Sequence, residues 1–357
     1  MILQELTTLN GVAGNENEVR EFIIEKVKNL CDDIIVDSIG NVICHKKGRG
    51  NNAKVMLSAH MDEVGFIISG HTDKGYIKFK CIGGIDDRIL PGKRVTIGKD
   101  RVKGIIGAKP IHMQDKDERT KITKVKNLYI DVGAESKEEA EKLAPLAEFV
   151  AFDSEYVEFG DNCIKAKALD DRVGCAVLME VLKHDYDFEL YVCFTVQEEV
   201  GLRGAQVAAY RVMPDIALVI EGTTCADVPE VEKQDYSTVL GNGAALTFMD
   251  RTCLCDKNLV KYIYQLAKDS GIKVQYKQTT TGGNDAGQIQ RTGKGAKTAS
   301  ISVPCRYIHS PVSVMSREDY ESVERLTLKV LEQLSKDKNA LKQFVYENKE
   351  VKKDGSI

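Results

Sequence analysis

The chain has 357 residues, of which 43% are hydrophobic and 29% charged, and its formal net charge is −4. The composition is ordinary for a globular protein, and the length suffices for one large core and a smaller domain. A weakly acidic chain has no electrostatic attraction to nucleic acid or to an anionic membrane, so we expect neither as a partner. The N-terminal residues lack the pattern of a signal peptide, and no segment is long and apolar enough to span a bilayer.

The ten cysteines form no CxxC pair, and most lie within apolar helix or strand patterns. Without an export signal, reduced thiols are the expected state, so we predict a cytoplasmic protein. Cys253 and Cys255 could in principle bind a metal ion. Two small, half-buried side chains are the better interpretation.

The first part of the chain predicts one helix followed by three strands. Residues Glu16 to Leu30 place apolar side chains at helical spacing. The predicted strands are Ile34–Val36, Asn41–His45 and Lys54–Ala59.

The middle of the chain has a different pattern of residue types. From about Phe66 to Asp131, short β-rich segments alternate with glycines, and a helical pattern returns only at Ser136–Leu143. This pattern is typical of a small all-β module. From about Asp161 onward, helices and strands alternate again. The predicted helices are Arg172–Leu182, Lys257–Ser270 and Arg317–Leu334, and the predicted strands are Glu189–Val196, Ile216–Ile220, Lys273–Lys277 and Thr298–Val303.

Alternating helices and apolar strands predict an α/β domain whose sheet is covered by helices on both faces. Because the β-rich stretch interrupts this pattern, we predict that residues 66–160 form an inserted β-rich domain. Residues 1–65 and 161–357 would then form the α/β domain. The charge-rich segment from about Ser335 to Ile357 is expected to be a solvated helix end and a frayed tail.

The segment Ser58–Asp62 places a histidine and an acid at the end of a predicted strand. His60 and Asp62 are two residues apart, so on a strand they would share one face. A carboxylate beside an imidazole is how the tautomer of a metal-binding histidine is fixed. An HxD triplet at the end of a strand is more often unrelated to any metal site. It becomes evidence for one only together with similar residues elsewhere in the chain.

Further acids and a second histidine stand at the ends of other predicted elements. Asp170 and Asp171 precede a helix, where Asp is also favoured as a cap. Acids that follow buried strands are harder to explain as surface residues, since α/β proteins place their sites at the carboxyl ends of strands. These residues are Glu198 and Glu199 after Glu189–Val196, Glu221 after Ile216–Ile220, and His309 after Thr298–Val303.

Imidazole and carboxylate ligands without thiolate suit zinc, cobalt or manganese. A single catalytic zinc needs only three protein ligands and a water, so this set of residues is too large for one ion. It suits two ions that share a carboxylate. Two ions about 3.5–4 Å apart can activate a water and stabilise a developing oxyanion.

Six motifs in order resemble those of the di-metal tetrahedral (TET) aminopeptidases. They are SAHMDEVGF, KALDDRVGC, TVQEEVGLRGA, VIEGTTCADVP, TGGNDAG and CRYIHSPVSV. That family includes glutamyl and deblocking aminopeptidases, and its members are often labelled endoglucanase or cellulase M. The resemblance covers nearly the whole chain. It implies a three-layer α/β/α metallopeptidase domain with an inserted oligomerisation domain, short peptides as substrates, and a homododecamer.

The resemblance also implies a metal role for five residues. His60, Asp170 and Glu221 would hold one ion, zinc or cobalt. Asp170 would bridge to a second ion, which Glu199 and His309 would hold as well. Many relatives have Asp at the position of Glu221, and Glu can fill the same role with a longer side chain.

The roles of the remaining motif residues also follow from the resemblance. Glu198 would be the general base, and Asp62 would orient His60. Asp171 would support Asp170 across a cis peptide bond. Asn284 stands where relatives often have Thr, and no catalytic role is assigned to it.

Three alternatives are open on the sequence. A glycoside hydrolase needs two carboxyl groups across a sugar bond, which the adjacent Glu198 and Glu199 cannot readily provide. The chain also has no tryptophan and only 6% aromatic residues for stacking on sugars. A related di-metal carboxypeptidase or deacylase could use the same ligands, although the inserted β module disfavours it. An inactive scaffold is disfavoured because every expected ligand position is filled.

Overall fold

The computed structural model describes residues 2–345. It contains a large sheet with helices on both faces and a small closed β-barrel. The helices are α1 (Ile2–Thr8), α2 (Asn17–Val27), α3 (Lys116–Arg119), α4 (Lys137–Leu143), α5 (Leu169–Val181), α6 (Arg203–Val212), α7 (Lys257–Asp269), α8 (Ala286–Arg291), α9 (Arg317–Lys336) and α10 (Lys338–Lys342). None of these described helices is long and apolar enough to cross a membrane.

Most strands belong to the large, eleven-stranded sheet. Its strands are β1 (Asp33–Val36), β2 (Val42–Lys46), β3 (Asn51–His60), β10 (Val157–Phe159), β11 (Cys163–Ala166), β12 (Phe188–Thr195), β13 (Ile216–Thr224), β14 (Ala244–Thr247), β15 (Val274–Tyr276), β16 (Lys297–Arg306) and β17 (Ser313–Ser316). The barrel strands are β4 (Gly65–His71), β5 (Ile77–Ile82), β6 (Arg94–Ile97), β7 (Val102–Gly107), β8 (Tyr129–Asp131) and β9 (Phe149–Phe152).

The centre of the large sheet is parallel and fully covered. Its main strand order is β1-β2-β12-β3-β13-β16-β17-β11-β10, and β14 pairs with β16 and β15 at the side. The four strands β12, β3, β13 and β16 run parallel to one another. Residues 55–60 of β3 are all buried, which explains the near-continuous apolar run. Helices α1, α2, α5 and α9 pack together on one side, while α6 and α8 pack on the other.

The register of the parallel strands brings their carboxyl ends to one edge. Thr195, at the end of β12, is opposite His60 at the end of β3. Val219 of β13 is opposite Ser58, so Glu221 is level with His60. This alignment places the acids that follow the strands beside the HxD triplet, as expected for an α/β fold.

The barrel closes in the order β4-β5-β8-β7-β6-β9 and has its own hydrophobic cluster. Phe66 lies at the centre of that cluster, and its ring meets Phe79 and Phe152 edge-on at centroid distances of 5.1 Å. The all-β module is therefore present. The predicted domain division at residues 66 and 160 stays a prediction, and β10, which falls inside that range, pairs with β11 of the large sheet.

The expectation of a frayed tail from Ser335 was wrong for the described part of that segment. Asp337 caps α10 by accepting from the backbone N–H groups of Asn339 and Ala340. Leu341 and Phe344 are buried, and the Phe344 ring packs against Tyr262 at a centroid distance of 5.4 Å. The apolar side chains among the charges thus anchor the segment to the core. Residues 346–357 lie outside the described residues.

Candidate metal centre

His60 is buried at the carboxyl end of β3 and faces acids on both sides of its ring. Its Nδ1 lies 3.1 Å from the carbonyl oxygen of Asp62 and 3.5 Å from Asp62 Oδ1. A proton on Nδ1 directed at these oxygens leaves the lone pair on Nε2. That Nε2 lies 3.2 Å from Asp170 Oδ1 and 3.2 Å from Glu221 Oε1.

His309 forms the second half of the site, in the loop between β16 and β17. Its Nε2 lies 3.3 Å from Glu199 Oε2 and 3.5 Å from Asp170 Oδ2. Its Nδ1 is 2.8 Å from the carbonyl oxygen of Gly84, which follows barrel strand β5. Asp170 therefore faces one histidine with each of its carboxylate oxygens.

Potential ligand atoms form two groups, and within each group all of them lie within 4.8 Å of one another. The first group is His60, Asp171 and Glu221, and the second is Asp170, Glu199 and His309. The oxygens of Asp171 already have donors, since they accept the backbone N–H groups of His60 at 3.1 Å and Gly174 at 3.0 Å. Asp170 has no such backbone donors and faces both rings. The geometry favours Asp170 as the shared residue, with Asp171 supporting the backbone. The peptide bond between them is cis.

Glu221 is a buried carboxylate without a hydrogen bond. Within residues 2–345, neither of its oxygens has a hydrogen-bond partner, and its nearest charged neighbour is His60, whose Nε2 lies 3.2 Å from Oε1. Burial raises the pKa of Glu221 well above its usual range. A buried polar group without a partner is costly, and a charged one far more so. A divalent cation would supply the missing partner, so the residues present fit a metal ion.

Asp62 does more than lie beside His60. Its two carboxylate oxygens accept the backbone N–H groups of Glu198 at 3.0 Å and of Glu199 at 3.1 Å. One fully buried side chain therefore holds the backbone of both glutamates and contacts the histidine. The HxD spacing predicted the contact with His60 but contained no signal for the contact with the glutamates.

The electrostatics of the protein groups alone reflect this crowding of acids. Burial raises the pKa of Glu199 to about 7 and that of Glu198 well above its usual range. Burial would also raise the pKa of Asp170, but the nearby rings of His309 and His60 outweigh it and hold that pKa below its usual range. Perturbed groups of this kind cluster at functional sites.

The two halves of the site open into a cleft of about 710 Å³. Loops that follow β12, β13 and β15, together with α8, form its walls. Its lining includes Glu198, Glu199, Glu221, Asp170 and His309, and also Leu202, Thr223, Thr252, Lys277, Thr281, Gln288 and Arg291. Every residue predicted as a metal ligand or base is therefore in or directly behind one cleft.

Two buried features near the site were not predicted. Asp285, in the TGGNDAG motif, accepts hydrogen bonds from Thr195 at 2.6 Å and Ser58 at 3.3 Å, directly behind the strand ends. Lys167 bonds both oxygens of Glu63 at 2.6 and 2.9 Å. The motifs around Asp285 and Lys167 drew attention to these segments. The contacts themselves join distant parts of the chain and have no sequence signal.

Comparison with known proteins identifies the family. A sequence model described as M42 glutamyl aminopeptidase matches residues 40–326. The chain belongs to this family. A second model, described as AMPT, matches residues 2–22.

Individual relatives match this M42 family chain over nearly its whole length. A putative aminopeptidase of Acetivibrio thermocellus is 39% identical over 92% of this chain and 97% of its own. A TET aminopeptidase from a marine sediment archaeon, Thaumarchaeota archaeon SCGC AB-539-E09, superimposes with a TM-score of 0.92 at 34% identity, covering 96% of this chain and 98% of its own. The TET1 peptidase of Pyrococcus horikoshii, described as assembling into a tetrahedron or a large octahedral shell, gives a TM-score of 0.81 at 34% identity over 92% and 98%.

These matches confirm the resemblance to TET aminopeptidases and the α/β fold with a small β domain. The protein is an aminopeptidase, a hydrolase of peptide bonds. A solved structure described as an endoglucanase, from Thermotoga maritima, is also similar, with a TM-score of 0.78 at 37% identity over 93% of this chain and 96% of its own.

Proposed function

We propose that this aminopeptidase removes N-terminal residues from short peptides with the help of two divalent metal ions, zinc or cobalt. The observation that carries the proposal is the bare carboxylate of Glu221, buried opposite His60 and Asp170. With the proton of His60 on Nδ1, three electron-pair donors face one another there. A divalent cation placed between these groups would stabilise them.

The ligand assignment follows the contacts of Asp170, which faces both histidine rings. His60, Asp170 and Glu221 would hold one ion, and Asp170, Glu199 and His309 the other, with Asp170 shared between them. Bound ions of this type lower the pKa of a water and polarise a carbonyl oxygen. The six nitrogen and oxygen donors suit zinc or cobalt.

Glu198 is the residue placed to move the proton. It lines the cleft, and its Oε2 lies 4.0 Å from His60 Nε2, beside the ligands without joining either group. In the proposed reaction, Glu198 takes a proton from the attacking water and gives it to the leaving amine. Asp62 keeps Glu198 in place by accepting its backbone N–H.

The proposal extends to the assembly and the location of the protein. The tetrahedral and octahedral shells described for the Pyrococcus horikoshii relative support a homo-oligomer here. We propose a homododecamer in the cytoplasm, with active sites accessible only to short peptides and with no nucleic acid or membrane as a partner.

The experiment that tests the proposal compares leucyl-nitroanilide with acetyl-leucyl-nitroanilide, which lacks the free amine. We expect hydrolysis of the first substrate only, loss of activity on chelation, and recovery on addition of Zn²⁺ or Co²⁺. A C-terminally unblocked peptide with a blocked amine and a soluble cellulose test the carboxypeptidase and glycosidase activities in the same preparation. Cleavage of acetyl-leucyl-nitroanilide at an equal rate, or full activity after exhaustive chelation, would contradict the proposal.

A further inference from the structure

The turn that contains Glu198 and Glu199 has a backbone conformation that needs support. Strand β12 ends at Thr195, and the chain turns before α6 begins at Arg203. Within this turn Gln197 has a φ of 56°, in the left-handed region that residues other than glycine rarely adopt. A residue keeps such a conformation only where neighbouring groups hold it in place.

The support comes from buried side chains in other parts of the chain. Each of the four successive backbone N–H groups of residues 196–199 donates to one of them. The acceptors are Asn41 for the first group at 3.0 Å, Glu16 for the second at 3.2 Å, and Asp62 for the last two at 3.0 and 3.1 Å. All three acceptor side chains are buried. The position of the turn therefore depends on these three residues.

Glu16 directly precedes α2, at a position where a side chain often caps its own helix. Its carboxylate does not hydrogen-bond to the N–H groups of that helix. It accepts instead from the N–H of Gly14 at 2.7 Å and from that of Gln197, and it is only 3% exposed. Burying a carboxylate is costly, so its use at the turn, and not at its own helix, indicates a role at the site.

We propose that Glu16 is a positioning residue for Glu198. This inference rests on the proposed function, because Glu198 acts there as the general base. Without Glu16, the N–H of Gln197 loses its acceptor and the left-handed residue loses the contact that holds it. Glu198 is the next residue, so its carboxylate moves with the turn, and a displacement of about 1 Å can lower a rate about 100-fold. Asp62 still holds the N–H of Glu199, so the metal ligand stays in place.

The test replaces Glu16 by leucine, which has a similar size and cannot accept a hydrogen bond. For the assembled enzyme in excess Zn²⁺, we expect kcat for leucyl-nitroanilide to fall by about 10- to 100-fold. KM should change by less than about threefold and two ions should stay bound per subunit, because the contacts that bind substrate and metal remain. Glu16→Gln keeps an oxygen that can accept from Gln197, so its kcat should be within about threefold of the wild type.

Asp319 provides the matched control. It is buried and accepts from the backbone N–H groups of Gly241 at 2.7 Å and Gly243 at 2.6 Å, in a loop that is not part of the cleft lining. Asp319→Leu should lower the melting temperature and keep the kcat of the wild type. If Glu16→Leu does not fold, Glu16→Asp keeps an acid at the start of α2 and withdraws it from Gln197 by one methylene group. It should lower kcat in the same way.

The outcomes separate this inference from the proposed function. A wild-type kcat in the folded variant, Glu16→Leu or Glu16→Asp, overturns the inference. So does an equal fall of kcat in Asp319→Leu, a metal ion lost from the Glu16 variant, or a Glu16→Gln enzyme as slow as Glu16→Leu. If Glu198→Gln is slow and Glu16→Leu is not, the inference alone fails. If Glu198→Gln turns over like the wild type, the proposed function itself fails.

Discussion

Glu198 and Glu199 are adjacent in sequence but face different partners. Glu199 lies 3.3 Å from His309, whereas Glu198 lines the cleft outside both ligand groups. We predict that Glu198→Gln lowers turnover by roughly 10²–10⁴-fold while two metal ions stay bound, because the variant keeps the shape and loses the base. Glu199→Gln should instead weaken binding of one ion. Elemental analysis and anilide hydrolysis on the same preparations measure both effects.

Glu232 is exposed, so the variant Glu232→Gln is a suitable control. It should match the wild type in metal content and in anilide hydrolysis. Loss of metal in Glu198→Gln with full metal content in Glu199→Gln would reverse the two roles. Wild-type turnover in Glu198→Gln would contradict the proposed reaction.

The pKa of His309 leads to a prediction of how metal binding depends on pH. Burial lowers its pKa, but the hydrogen bond to Asp170 and the charge of Glu199 outweigh burial and raise the pKa to about 9. At pH 7 the metal-free ring is therefore protonated, and it must lose this proton to bind an ion. The apparent metal affinity should rise as pH increases from 7 toward 9, and binding at pH 7 should release protons.

Titration calorimetry in two buffers with different heats of protonation measures this release directly. Equal heats in both buffers, together with an affinity that does not change between pH 7 and 9, would show that His309 does not bind the metal as proposed.

At the level of single residues, the motifs predicted which side chains lie close together at this edge, and they gave little information on the contacts that these side chains make. His60, Glu199, Glu221 and His309 lie in or after the parallel strands β3, β12, β13 and β16, which end at one edge. Asp170, at the start of α5, meets them there. The links that Asp62 makes to two backbone N–H groups depend on how two separate loops approach each other. No spacing within either segment contains that information.

The elements around the site are held together by a buried charge cluster. Glu63, just beyond β3, accepts from Lys167 at 2.6 Å and from the backbone N–H of Gly11 at 3.0 Å, and it lies 3.6 Å from Arg172. All three charged side chains are buried. Glu63→Gln leaves two buried cations without a counter-charge, so we predict that it destabilises the fold by about 3–5 kcal/mol. Chemical or thermal unfolding of the metal-free protein measures the change.

The double variant Glu63→Gln, Lys167→Met removes charge from both sides and should recover part of this loss. Glu25→Gln, in an exposed pair with Lys28, should change the stability by less than about 0.5 kcal/mol. If Glu63→Gln is as stable as Glu25→Gln, the cluster does not anchor the site.

The strength of the hydrophobic pattern decided which elements could be predicted. The central strands β3, β12, β13 and β16 are buried on both faces, so their apolar runs are nearly continuous. Helix α6 was missed because the buried face that it presents consists mostly of small residues, Gly204, Ala205, Ala208 and Ala209. Small side chains give a weak periodic signal even when they pack closely.

For the whole molecule, we expect the barrel, together with the segment that follows β7, to contact other copies. Several of their large apolar side chains are exposed, including Ile105 at 53%, Ile111 at 69% and Met113 at 63%. Contacts between subunits would cover such residues. We predict a homododecamer of 39.6 kDa chains, about 475 kDa, measured by light scattering after size-exclusion chromatography. An active monomer whose mass is unchanged on dilution would contradict this prediction.

The contacts between the barrel and the rest of the molecule could not be predicted from the sequence. The short β-rich segments and the glycine content predicted a β module. They did not predict that the carbonyl oxygen of Gly84, beside the barrel, would accept a hydrogen bond from His309 of the site. Nor did they predict that Asn10 would bond Thr96 of β6 at 3.0 Å. Both contacts join residues far apart in the chain, and their formation depends on the packing of the completed fold.

The measurement that tests the central claim most directly is a metal titration of the chelated enzyme. Zn²⁺ or Co²⁺ is added in known equivalents per subunit, and bound metal and leucyl-nitroanilide hydrolysis are followed together. We predict that activity reaches its plateau when two ions are bound per subunit, and that Asp170→Asn, which removes the shared ligand, gives no such plateau. Full activity with no bound ion, or a plateau at one ion per subunit, would contradict the account.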